Sequence, residues 1–361
     1  FYKLSGLAFG TYRVFAILDE FRDLLYNVEA DAYGAPYEDI TLTETDSIYS
    51  GLNFFLTKED TSKPRLFSAV MTDRNHILMN FSEEIDSSSK KINNFYLFDS
   101  TDNKKVEPVY LFKGNTKQTE MVLATDYEFN IENRIYLFVN NLTDLNGNTT
   151  KIDFVEVLTT ERPDTTKPVL YKTVPSSRST NVDYLQPEFF FYFDDAFDTL
   201  FAKEGIYASD TSGNKLPFQI QFIDDASFKV KVLKNLKAKE PYYIGIDFNR
   251  IIDIAGNKTD SLYKHNFTTI AGLEFTGVSG QLLNIDLNKN PNLVLQDVSK
   301  NENILQKKVT ENKFSFERIE AGKYLLWCYY DTDSSGTYTY GLPYPFEQSE
   351  QFFFHSDTIN L

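Results

Sequence analysis

The chain has 361 residues, 42% of them hydrophobic and 16% aromatic, and carries a formal net charge of −16 at pH 7. That length and apolar content suit a folded protein of roughly two to four domains and exclude a disordered chain. The acidity excludes the basic face that nucleic acid requires, and a polybasic dock on an anionic leaflet.

Residues 1–58 contain strand-like stretches at 11–17, 39–42 and 51–56, with a polar turn at Asp19-Glu-Phe-Arg-Asp23. Excess Phe and Tyr favour strands, because aromatic rings fit a half-buried pleated surface. The chain opens at Phe1, within a repeat described below, so it is expected to be a piece of a longer protein. The joint Asp60-Thr-Ser-Lys63-Pro64 recurs as Asp164-Thr-Thr-Lys167-Pro168. Proline fixes φ and disfavours helix before it, so each joint leads extended into a first strand.

Ile77-Leu-Met79-Asn-Phe81-Ser-Glu-Glu-Ile85 matches Phe189-Phe-Phe191-Tyr-Phe193-Asp-Asp-Ala-Phe197. Alternation puts the odd-numbered apolar residues on one face. The run Phe189–Phe193 is expected to be covered on both faces. One or two helical turns are expected at 197–203. Asp144-Leu-Asn-Gly147-Asn148 answers Asp253-Ile-Ala-Gly256-Asn257, and both are turn chemistry. From Ala271 strands are expected at 274–282, 293–298, 304–308, 314–316, 323–330 and 351–355. Within these, Phe314-Ser-Phe316-Glu-Arg-Ile319-Glu-Ala321-Gly322-Lys-Tyr324 repeats Tyr2-Lys-Leu4-Ser-Gly-Leu7-Ala-Phe9-Gly10-Thr-Tyr12, and Asp331 falls on Asp19.

The inner repeat resembles the bacterial Ig-like domain of the S-layer type. The outer repeat resembles the prealbumin-like or carboxypeptidase-regulatory-like sandwich. The expected fold is all-β: tandem antiparallel β-sandwiches, Ig-like and prealbumin-like, in an elongated arrangement. The expected domains are 1–58, the later part of a truncated prealbumin-like sandwich; 59–162 and 163–270, bacterial Ig-like; and 271–361, prealbumin-like. Neither family carries a catalytic residue set, so the resemblance implies a non-enzyme. It implies an exported protein at the cell surface, anchored to the outer membrane or extracellular. Its role would be structural spacing or adhesion, with a lipid anchor upstream and a surface protein or polysaccharide as partner. The alternatives are an accessory region of a larger secreted hydrolase and a carbohydrate-binding module.

No catalytic or cofactor-binding residues are assigned from the sequence. Asp331-Thr-Asp333-Ser-Ser335-Gly336 has oxygen ligands at alternate positions beside a permissive Gly, as in the opening of a calcium loop. Asp331, Asp333 and Ser335 are the candidate metal ligands, although a polar hairpin tip accounts for the same residues. The acidic pairs Glu83/Glu84, Asp194/Asp195 and Asp224/Asp225 point to opposite strand faces, so they are expected to be solvated strand ends. His76, His265 and His355 read as lone residues, and Tyr338, Tyr340 and Tyr344 as candidate sugar-stacking rings. No P-loop, dinucleotide fingerprint or nucleophile elbow is present. The single cysteine, Cys328, lies in an apolar run and is expected to be a buried thiol. No run reaches the ~18 apolar residues of a membrane helix.

Overall fold

The computed structural model describes residues 2–272, 275–299 and 304–361. Among these, strands dominate, and the one α-helix is the short Thr199–Lys203, capped by Asp198. The chain divides into two compact units, Ser62–Gly272, and Phe1–Thr61 with Leu273–Leu361.

Within Ser62–Gly272 each inner repeat forms a sandwich. In the first, strand His76–Phe81 buries Ile77, Met79 and Phe81, as the alternation requires. It pairs antiparallel with Leu66–Met71 and Glu120–Ala124. Strand Leu66–Met71 also runs parallel to the end of Thr149–Leu158. From there the pairing continues through Ile135–Thr143 and Phe95–Asp99 to Lys104–Val106, an eight-stranded path with Tyr110–Phe112 at its other end. Its core is aliphatic and Met-rich: Ile77, Met79, Leu97, Leu123 and Leu137.

The second repeat has two separate four-stranded sheets. One holds Leu170–Val174, Glu188–Phe193, Ser227–Val232 and Phe218–Asp224. The other holds Ser179–Val182, Leu262–Thr269, Pro241–Asp247 and Ile206–Asp210. Phe189, Phe191, Phe193, Phe197 and Phe228 fill the space between them. Phe193 ends its strand opposite Leu170, as Phe81 does opposite Leu66. Pairing is antiparallel throughout except for one parallel contact in each repeat, where the last long strand returns beside an early one. Both Asp-x-x-Gly-Asn turns put glycine at positive φ, 89° at Gly147 and 86° at Gly256, where a side chain would be strained.

The phenylalanine strand differs from expectation. Phe189, Phe191 and Phe193 are buried, but Phe190 and Tyr192 are only half-buried. Phe190 lies under the Lys229 ammonium and Tyr192 under that of Lys172. Lysine stems cover this outer face where a second layer was expected.

In the other unit, Pro291–Asp297 pairs with Ile304–Lys308 and Lys323–Tyr330, and the latter takes Phe352–Phe354 and Ile359–Asn360 at its other edge. Thr276–Gln281 pairs with Lys313–Ile319. The strand expected from 274 starts at Thr276 among the described residues, and Glu274 itself lies outside them. Leu293, Leu295, Phe316, Tyr324 and Leu326 build the core. Cys328 joins them, and burial pushes its thiol up to about 12, so it stays protonated and inert.

The opening segment adds to this sandwich. The single strand expected at 11–17 is two short ones, Gly10–Tyr12 and Ala16–Leu18, which pair with different partners. Between them Arg13 forms a two-pronged ion pair with Asp39 and lies 3.6 Å over the Phe346 ring. The strand expected at 51–56 is irregular. Its Phe55 inserts among Trp327, Tyr338, Tyr340, Phe352 and Phe354. Tyr33 donates to the Gly341 carbonyl at 2.8 Å, and Ser349 Oγ to the Ala35 carbonyl at 2.9 Å. Tyr2 and Leu4 are exposed, whereas their repeat partners Phe314 and Phe316 are half-buried and buried.

Candidate carboxylate site and domain joint

The loop after strand Lys323–Tyr330 brings Asp331 and Asp333 together, with a third carboxylate from elsewhere. Glu350, just before strand Phe352–Phe354, offers an oxygen within 4.8 Å of theirs. Asp331 and Glu350 are buried, and Asp333 is exposed. Ser335 is not the third member. Its hydroxyl donates to the Thr337 carbonyl at 2.8 Å, closing the turn on itself. The sequence could not supply Glu350, because its proximity depends on two strands pairing across an intervening loop.

The three carboxylates are held by local donors. Asp331 Oδ2 accepts from Asn292 Nδ2 and the Gly336 amide, both at 3.2 Å. Asp331 Oδ1 is buried without a hydrogen-bond partner. Asp333 accepts from the Thr339 hydroxyl and the Ser335 amide, which hold its carboxyl below the usual range. Glu350 accepts from the amides of Thr332 and Thr339. Burial pushes the Glu350 carboxyl up, and neighbouring Asp333 and Asp331 add to this. Among the described residues no Lys or Arg pairs with any of the three. Converging, partly desolvated carboxylates with a spare oxygen fit a hard cation. The sister turn does not: both oxygens of Asp19 are taken by the amides of Asp23 and Leu24.

The joint between the inner repeats uses residues read from sequence as solvated. Asp225 accepts from the Leu111 amide at 2.8 Å, and Asp224 from the Lys113 amide at 3.1 Å. Tyr171 donates to the Gly114 carbonyl at 2.8 Å. Phe112, Ala124, Ala196 and Ala226 pack beneath these bonds. Asp195 is buried, not a solvated strand end. These pairs lie at or just past the strand ends, so alternation does not sort them, and Asp224 and Asp225 both meet the neighbouring domain and not water.

Nor is His76 alone. Its Nδ1 lies 2.9 Å from Asp73, and its Nε2 lies 3.0 Å from Asp195, an ion-pair distance short of hydrogen-bond alignment. Burial opposes the charge, but Asp195 and Asp73 outweigh it and push the imidazole up to about 10. His265 is the reverse case. It is fully buried among Phe189, Phe191 and Tyr263, neither nitrogen has a partner, and burial pushes it down to about 4. His355 is exposed. Of the candidate stacking rings, Tyr338 and Tyr340 belong to the cluster around Phe55, and Tyr344 alone is widely exposed.

Residues 164–269 match the family model described as the bacterial Ig-like domain. No curated protein matches. Among solved structures, the N-terminal part of the bacterial S-layer protein SbsC is similar at 11% identity and a TM-score of 0.25, covering 58% of this chain and 44% of that one. Native alpha-2-macroglobulin from Escherichia coli, spanning domains MG0-NIE-MG1, is similar at 12% identity and a TM-score of 0.23, covering 73% and 93%. The titin domains I67–I69 align at 9% identity and a TM-score of 0.19, covering 74% and 92%. The chain spans less than half the length of the S-layer structures it resembles. No helix among the described residues is long and apolar enough to cross a membrane.

Proposed function

We propose that the chain is a non-catalytic, exported module that spaces or presents partners at a bacterial cell surface. The supporting observation is the joint between the inner repeats. Strand-end carboxylates bond directly to main-chain amides of the neighbouring domain, over an apolar cluster. Such a joint holds two sandwiches as a spacer needs. Protease added to intact cells that express the chain tests the reading. The expected result is cleavage while the cells stay whole; protection until lysis overturns it.

The loop at Asp331 serves this role as a calcium clip, with Asp331, Asp333 and Glu350 as ligands in place of Ser335. It ties the end of one strand to the start of its neighbour. Calcium added after chelation raises the melting temperature of the wild type and not of Asp331→Asn. Equal shifts in both remove the clip and leave a hydrogen-bonded turn.

A further inference from the structure

A second carboxylate cluster lies at the base of the second inner repeat. Asp164 comes from the joint, Asp195 from the end of strand Glu188–Phe193, and Asp253 from the Asp-x-x-Gly-Asn turn. Each offers an oxygen within 4.8 Å of the other two; Asp164 and Asp253 are at least nine-tenths buried, with 9% and 6% exposure, and the Asp195 side chain is 11% exposed. We propose that Asp164, Asp195 and Asp253 bind a calcium ion that stiffens the joint between the two Ig-like repeats.

The local bonds leave the cluster short of positive charge. Asp164 Oδ1 accepts from the Thr166 amide and hydroxyl at 3.0 and 2.8 Å. Asn257 Nδ2 lies 3.4 Å from Asp164 Oδ2. Asp195 Oδ1 accepts from the Ala196 amide at 2.7 Å and meets His76 Nε2. Asp253 Oδ1 accepts from the Asn257 amide at 2.7 Å, while its Oδ2 is buried without an aligned hydrogen-bond partner. Asp73 and His76 adjoin the same place, with Asp164 within 4.8 Å of both. The one imidazole here faces only Asp73 and Asp195, and among the described residues no Lys or Arg pairs with those two or with Asp164 or Asp253. A buried carboxylate without a counter-charge or donor is strongly disfavoured, so the arrangement calls for a cation.

The donor set selects its class. The three ligands are hard carboxylate oxygens, which suit calcium with its flexible shell of 6–8 ligands at roughly 2.3–2.6 Å. Softer metals want thiolate or a free imidazole nitrogen. Cys328 is in the other unit, and both His76 nitrogens already face carboxylates. The first inner repeat carries acidic residues at all three matching sequence positions, Asp60, Glu83 and Asp144. Turn chemistry alone asks for Asp at 144 and 253 but makes no demand on the strand ends at 83 and 195. An ion drawing on Asp195 also orders the group that meets His76 of the preceding domain, so occupancy and joint rigidity are coupled.

The test uses the full chain carrying Asp331→Asn and Glu350→Gln, which silences the other cluster, stripped with EGTA and titrated with calcium chloride alone. Calorimetry should find binding, and adding Asp253→Asn should remove one ion per chain or weaken that site at least tenfold. A crossover in melting temperature is also expected. In EGTA the Asp253→Asn protein melts higher than its parent, since a repelling charge is gone; in calcium it melts lower. Hydrogen exchange at the Leu111 and Lys113 amides should slow with calcium only in the parent. Should Asp253→Asn not fold, Asp195→Asn gives the same readings. Equal stoichiometry with equal affinity in parent and variant, or a variant that melts lower by the same amount with and without calcium, overturns the proposal.

Discussion

The two inner repeats share a strand pattern but use it differently. The first closes an aliphatic and Met core within one continuous hydrogen-bonded path; the second packs phenylalanine between two separate sheets. Met79 and Phe191 hold matching positions, and both are fully buried. Each repeat also buries a histidine on a strand. His76 faces two carboxylates and is held charged, whereas His265 faces aromatic rings and is held neutral. A shared pattern therefore specifies which face is inside, while the surroundings set what the inside tolerates.

The largest effect is expected at the cores. Phe191→Ala should cost about 3–5 kcal/mol in urea unfolding, because a rigid ring leaves a cavity its neighbours cannot fill. Phe190→Ala, on the half-buried face under lysine stems, should cost about 1 kcal/mol or less. Similar losses at both positions would mean that the strand is covered on both faces after all.

The histidines differ in their response to acid. His265 has a folded pKa of about 4 against an ordinary 6.5. The unfolded chain therefore binds the extra proton first as pH falls. The stability of the second repeat should be intact above pH 6.5 and should fall by roughly 3 kcal/mol on reaching pH 4. His265→Phe should remove that part of the acid sensitivity. An unchanged slope of stability against pH would place the acid response elsewhere.

The smallest effect concerns the joint. Tyr171→Phe deletes the bond to the Gly114 carbonyl and should cost about 1 kcal/mol. It should also separate the unfolding of the two repeats in calorimetry. A single unchanged transition would mean that the apolar cluster around Phe112 couples them unaided.

Alternation at Ile77–Phe81 and Phe189–Phe193, and the Gly-Asn turns after Asp144 and Asp253, were enough to specify sandwiches with Phe81 and Phe193 inside. Those signals are local: side-chain direction repeats every two residues, and glycine relieves strain within one turn. Charge and partnership were not legible in the same way. Glu350 at the Asp331 loop, Asp195 beside His76, and Phe55 among Trp327 and Phe352 each depend on residues far apart in the chain. Sequence determined which residues could be buried. Only the tertiary structure decided which carboxylates lost their water together, because desolvation and Coulomb energy depend on distance in space and not on spacing along the chain.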